Sequence, residues 1–159
     1  MGSRRDIYES VKGRLVKELP WLETIDLDKG QVGRGERNYP LSLPAAYIRL
    51  GRIDWESRAG LQEGDIELGV TLVLESVQDT YAGAEAEREA LREVDLEEAV
   101  YEALEGYSSA AHSGLNRRAT LPPEWGERWV KLGSEWRCHV VQSKPRGKEA
   151  GVEGLKFKI

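Results

Sequence analysis

The residues best placed by type and spacing to do chemistry are Cys138 and His139, which pair a thiol nucleophile with an imidazole base. They fall within the alternating run Trp136, Cys138, Val140. That run reads as a strand, where adjacent side chains point to opposite faces, so a buried thiol and an outward imidazole are expected. Asp26 with Asp28, and Glu97 with Glu98, supply the paired carboxylates that acid–base work or Mg2+ binding needs. Asp26 and Asp28 share a strand face but flank Ile25 and Leu27 as its solvated side. Glu97 and Glu98 suit the first turn of a helix, where the backbone dipole favours negative charge. The glycines Gly30, Gly33 and Gly35 fit neither the P-loop spacing nor the dinucleotide fingerprint, and no helix follows them to cradle a phosphate. Neither His112 nor His139 has a partner at a metal-ligand spacing, and the single cysteine builds neither an intrachain disulfide nor a thiolate zinc site. The expectation is a chain with no catalytic residues, no metal and no cofactor, and not an enzyme.

The elements that would carry these residues follow from hydrophobic period. Ile7, Val11, Leu15 and Leu19 recur every four residues, predicting a helix over residues 4–19 that Pro20 ends. A short strand follows over residues 24–28. Residues 29–44 hold Gly30, Gly33, Gly35, Arg34, Arg37, Pro40 and Pro44, a long loop of the kind that is usually functional or disordered. Residues 47–81 carry the clearest signal. Ala46, Ile48 and Leu50 share one strand face, Ile53 and Trp55 share the next, and a bulge at Gly51-Arg52 would return both sets to one core. Ile66, Leu68, Val70, Leu72 and Leu74 form a second strand, with residues 56–64, including Arg58, as an exposed connection. Further on, Asp95 and Glu98 have the spacing of a capping box, which predicts a main helix over residues 96–107, with residues 84–94 a separate or mobile stretch. Two more strands are expected, over residues 115–121 and about 128–142, with a bend at Gly133.

Length and composition frame these elements. The 159 residues suit one domain, 40% hydrophobic and 32% charged. We expect a single α+β domain over residues 1–142 and a flexible C-terminal arm over residues 143–159, whose end alternates Leu155, Phe157 and Ile159 with Lys156 and Lys158. No run is apolar enough to span a membrane, and the N-terminal residues lack the apolar stretch of a signal peptide; the single cysteine, Cys138, fits a reducing, intracellular origin. The net charge of −5 disfavours bulk attraction to nucleic acid. Of five tryptophans, Trp55 and Trp136 read as core, whereas Trp125 and Trp129 flank a turn in polar company and suit a protein interface. The candidate protein-contact residues are Arg34, Arg37, Arg58, Trp125, Trp129 and Phe157.

Several segments add a resemblance. Arg5-Asp6-Ile7-Tyr8-Glu9-Ser10-Val11 resembles a first helix, and the stretch from Trp21 to Gln31 the segment after it. Pro44-Ala45-Ala46-Tyr47-Ile48 looks like a proline-led strand start. Ile53-Asp54-Trp55 and Gly64-Asp65-Ile66 look like the ends flanking a hairpin loop, and Asp79-Thr80-Tyr81 and Ala103-Leu104-Glu105-Gly106-Tyr107 complete the pattern. Together, over residues 5–142, they resemble the lambda-type tail terminators and related tail-completion proteins of tailed bacteriophages. The resemblance implies an α+β fold, with helices packed on one face of a mostly antiparallel sheet in the order α-β-β-β-α-β-β. It also implies a ring, commonly a hexamer, that caps the tail tube, stops its polymerisation and forms the head–tail joining surface. The implied partners are other copies of the chain, the tail-tube protein and a head–tail connector protein. DNA would pass through without specific binding, and no membrane is involved. The implied location is the virion tail, with the bacterial cytoplasm during assembly. No catalytic residues come with the family.

Other readings compete. A head-completion or neck protein would occupy another joint of the same virion. A small enzyme or ligand-binding domain would use the Cys138/His139 strand and the Gly33 loop, and would need a pocket holding those side chains. A small acidic immunity or adaptor domain would be a monomer with one acidic face meeting a basic partner.

Overall fold

A computed structural model describes residues 2–30, 42–76 and 84–145. In chain order they form helix α1 (Arg4–Glu18), strands β1 (Thr24–Leu27), β2 (Ala45–Arg58) and β3 (Leu61–Glu75), helix α2 (Ala84–Leu104), and strands β4 (Asn116–Thr120), β5 (Glu124–Trp125) and β6 (Trp129–Ser143). The strands build one six-stranded sheet in the order β1-β2-β3-β6-β4, with β5 paired to β6. β1 runs parallel to β2, and every other pair is antiparallel. This is the expected α+β arrangement, with the two-residue β5 added.

The period-four stripe of α1 is its buried face. Ile7, Val11 and Leu15 are fully covered and Leu19 nearly so. The helix starts at Ser3, whose hydroxyl accepts from the Asp6 amide at 3.1 Å while Asp6 accepts from the Ser3 amide, so two otherwise unpaired backbone donors are satisfied. The side chains of α1 and α2 join the inward residues of β2, β3 and β6 in one core, which places both helices on one face of the sheet. Trp136 lies at its centre and donates from Nε1 to Ser134 Oγ at 2.8 Å. Tyr101 of α2 stacks on Trp136, and the Arg117 guanidinium covers the outer side of Tyr101 at 3.9 Å.

The bulge expected at Gly51-Arg52 is present, since the β2–β3 register shifts between Leu50 and Ile53. Two expectations are corrected. Residues 56–64 are not a long connection: β2 runs to Arg58, β3 starts at Leu61, and Ala59 and Gly60, at φ 34° and 86°, make a two-residue turn. Positive φ at both central positions matches the twist of the strands, and Gly60 adopts it without steric cost. Nor does a helix begin at Asp95. The helix runs unbroken through it as an exposed position and stops at Leu104, after which Gly106 turns the chain at φ 77°. Glu97 and Glu98 are therefore mid-helix residues, and the dipole argument for them fails. At Gly133 the β3–β6 ladder carries no bulge, since its register is continuous from Leu61↔Ser143 to Glu75↔Trp129.

Candidate functional site

Strand alternation sends every second residue of β2, β3 and β6 to the sheet face that the helices do not cover. Near β1 that face carries a small apolar cluster of Ala45, Tyr47 and Val73, packed by Leu43 and Trp129. Toward the β2–β3 turn it becomes almost wholly charged. There it forms an open hollow of about 710 Å3, lined by Arg52, Asp54, Glu56, Glu63, Asp65, Glu67, Arg137 and His139, with Trp55 and Gly64. Five carboxylates face two guanidiniums and one imidazole, so the hollow is acidic.

His139 sits at its centre. Its Nδ1 lies 2.9 Å from Asp65 Oδ1 and its Nε2 3.0 Å from Glu63 Oε1. A carboxylate only accepts, so both contacts are hydrogen bonds only when both ring nitrogens carry hydrogen. The bond to Asp65 is the main cause raising the His139 pKa above its ordinary value; burial opposes the rise, while the Glu63 bond and both carboxylate charges support it. Around it, Arg137 pairs with Glu67 at 3.1 Å and Arg52 with Asp54 at 2.7 Å. These outer pairs are solvent-exposed and worth about 0–1 kcal/mol each. The hollow therefore suits cationic side chains, and its lining carries no hydroxyl or thiol.

The sequence candidates separate in space. Cys138 lies in the core on the opposite face from His139, and burial pushes its thiol up to about 12, so it is not a thiolate at neutral pH. The expected opposition of Cys138 and His139 is therefore what the strand delivers. Asp26 Oδ1 accepts from the Leu27 amide and Asp28 Oδ1 from the Gly30 amide, so both carboxylates fold back on the local backbone. On α2, Glu98 pairs with Arg117 at 3.4 Å, while burial, then the Glu98 charge, raises the Glu97 pKa. Among the described residues no group of three or more His, Cys, Asp or Glu is placed to hold a metal ion, and no helix is long and apolar enough to cross a membrane.

Of the contact candidates, Arg58 stands beside the β2–β3 turn within reach of Glu56 and Glu63. Trp125 is 44% exposed on β5, and Trp129 is half-buried over the small outer cluster with Lys131 Nζ 5.1 Å from its ring. Arg58 aligns through Leu61 with Ser143, at the opposite end of β6 from Trp129, a span of roughly 45 Å at the usual strand rise. Arg34, Arg37 and Phe157 lie outside the described residues, as does most of the arm expected over residues 143–159.

Sequence reasoning missed two clusters. The acidic hollow depends on a register visible only once the two-residue turn is known. The second cluster joins Ser10 of α1 to His112, which is buried. Ser10 Oγ lies 2.9 Å from His112 Nε2, and His112 Nδ1 lies 2.7 Å from the Ser113 carbonyl. The carbonyl requires a donor, so Nδ1 carries hydrogen, and Nε2 accepts from Ser10 whenever it carries none. Tyr107 and Ser109 hydroxyls crowd the same oxygen at 3.2 and 2.9 Å. These contacts tie α1 to the segment between α2 and β4. No periodic signal could announce a pair separated by 102 positions.

No protein-family model matches the chain, and no curated protein matches it. Among solved structures it is similar to a chain of "Virion of native gene transfer agent (GTA) particle", at 17% identity over 86% of this chain and 95% of that chain, with a TM-score of 0.48.

Proposed function

We propose that this chain is a structural virion protein of the tail-completion kind, which assembles as a ring, commonly a hexamer, on the end of a tail tube, stops the tube's growth and forms the surface that meets the head. The observation that carries the reading is the placement of the contact candidates. A closed ring built head to tail needs two different patches on each subunit. The sheet offers an arginine-bearing, carboxylate-rich end at Arg58 and an aromatic end at Trp125 and Trp129. The element order agrees with the one the tail-terminator resemblance implies. The open face is net acidic and its Arg52 and Arg137 are paired with Asp54 and Glu67, so it would let DNA pass without strong phosphate contacts. In this reading Arg34 and Arg37 contact the tube or a neighbouring subunit, and the partners are the tail-tube protein and a head–tail connector.

The test is capping of tail-tube protein polymerising in vitro, viewed by negative-stain electron microscopy. Added chain is expected to arrest tubes at finite length with a ring at one end. The variants Arg58→Glu and Trp125→Ala should each abolish the ring, and their mixture should yield nothing larger than dimers, because only one joint per pair remains intact. Tubes that lengthen unchecked at saturating chain would overturn the proposal.

One observation favours a second reading. The hollow around His139 gives the chain one acidic face, as an adaptor or immunity domain for a basic protein would have. A chain that stays monomeric beside tubes yet forms a one-to-one complex with a basic protein, lost in Asp65→Asn, would support that reading over the first.

A further inference from the structure

Beside the acidic hollow, the open sheet face carries a second, smaller cavity of about 110 Å3, walled by Arg49, Arg118 and Arg137 with Glu67 and Glu135. Two local features set these side chains around it. Gly69 pairs with Arg49 on one side and Glu135 on the other, and a Cβ added at Gly69 would stand 2.9 Å from Arg49 Nε. Without a side chain there, β3 lets the Arg49 guanidinium lie across it toward Glu135. On the far side, β4 pairs Arg117 with Trp136 and Ala119 with Glu135, so Arg118 is an extra residue in a bulge. Bulges re-aim side chains. This one brings Arg118 to the cavity while Arg117 covers Tyr101 on the helix side.

The charges around the cavity do not balance. Arg137 Nη2 donates to Glu67 at 3.1 Å. Arg49 Nη2 stands 3.9 Å from Glu135, beyond hydrogen-bond length. Three guanidiniums thus meet two carboxylates, and Arg118 is the one in excess. Arg137 Nε, shielded from water, has no hydrogen-bond partner, so that guanidinium also has a donor unused.

We propose that this cavity binds one carboxylate group, presented by an aspartate or glutamate side chain of another protein. Guanidiniums match a carboxylate through paired N–H donors, and one negative charge cancels the excess. A phosphate dianion would overfill that excess and meet Glu67 and Glu135. A nucleic-acid backbone needs a row of cations, whereas the adjoining surface is the carboxylate-rich hollow. The cavity has room for a carboxylate and little beyond it, so the rest of a small molecule would lie in solvent. A protein instead holds its side chain in place through contacts outside the cavity.

The test is titration of the isotope-labelled full chain, with chloride holding the ionic strength constant and arginine Nε–H signals as the NMR readout. Acetate is expected to shift Arg49, Arg118 and Arg137 saturably and together, with a Kd on the order of 10 mM, and to leave Arg5 on α1 unmoved. A capped tripeptide with one central glutamate should bind at least as tightly. Arg118→Gln should weaken both by about tenfold or more at unchanged Tm. Gly69→Ala should weaken them as well, because its Cβ displaces the Arg49 guanidinium. Glu135→Gln raises the excess to two charges and should turn the preference from acetate to hydrogenphosphate. Shifts that climb without saturating, or that Arg5 shares, would overturn the site. Hydrogenphosphate binding the unaltered chain more tightly than acetate would overturn the charge match. Binding of acetate but not of the tripeptide would overturn a protein side chain as the occupant. An oligonucleotide that displaces acetate would overturn it in favour of a phosphodiester.

Discussion

Replacing His139 with glutamine should destabilise the fold in a pH-dependent way whose sign is set by its two carboxylate partners. The folded-state pKa of His139 is raised above its unfolded value of about 6.5. Below that value the imidazolium is present in both states, and its bonds to Asp65 and Glu63 contribute fully. As pH climbs through the raised folded pKa the proton leaves and the contribution is lost. Relative side-chain exposures of 42% for His139, 28% for Glu63 and 59% for Asp65 put both contacts in the solvent-screened range, at about 0.2–1 kcal/mol each. The penalty of His139→Gln should thus be about 1 kcal/mol near pH 6, or about 2–4 °C in Tm for a chain of this size, and should shrink as pH rises through the raised folded pKa. Added salt should shrink it. Asp65→Asn should remove more of the pH dependence than Glu63→Gln, since the Asp65 bond is the larger cause. Urea unfolding across that pH range for wild type, the three variants and the Asp65→Asn/His139→Gln double variant provides the measurement. A penalty that stays flat or grows with pH would refute the reasoning.

Other consequences are equally direct. Asp95→Ala should stabilise the chain by about 0.5 kcal/mol, because Asp95 is an exposed helix-interior residue. A loss of about 1 kcal/mol in chemical unfolding would instead mark it as a helix cap. In Gly126→Ala the new Cβ would run into the Trp129 indole. The expected cost is about 1–3 kcal/mol with a red-shifted tryptophan emission, and unchanged emission and Tm would count against the packing described. Cys138 should resist a thiol-specific disulfide reagent at neutral pH until the chain is unfolded, since burial raises its pKa to about 12; rapid labelling of the native chain would contradict its core placement.

One-sided burial writes itself into residue order, and where it operates the sequence alone was sufficient. The α1 stripe of Ile7, Val11 and Leu15, the phase change at Gly51-Arg52 and the Trp136, Cys138, Val140 alternation all appear in the structure as read, because each element meets the same core on a fixed period. The pattern failed where neither side of an element is deeply covered. Apart from the exposed Leu61, residues 56–63 are polar or small, so they resemble a loop, and they are strands because β3 is flanked by β2 and β6 at Glu63 and Gln62. In α2, Leu91 is 56% exposed and helps to shift the apparent apolar face, so an uninterrupted helix looks like two. The acidic hollow lay further from view. His139 reaches Asp65 and Glu63 across 74 and 76 positions, and only the β3–β6 register brings them within hydrogen-bond range. Sequence determined which side chains turn inward, because burial is periodic along a chain. Tertiary structure decided which outward side chains meet, because pairing between distant strands leaves no period to read.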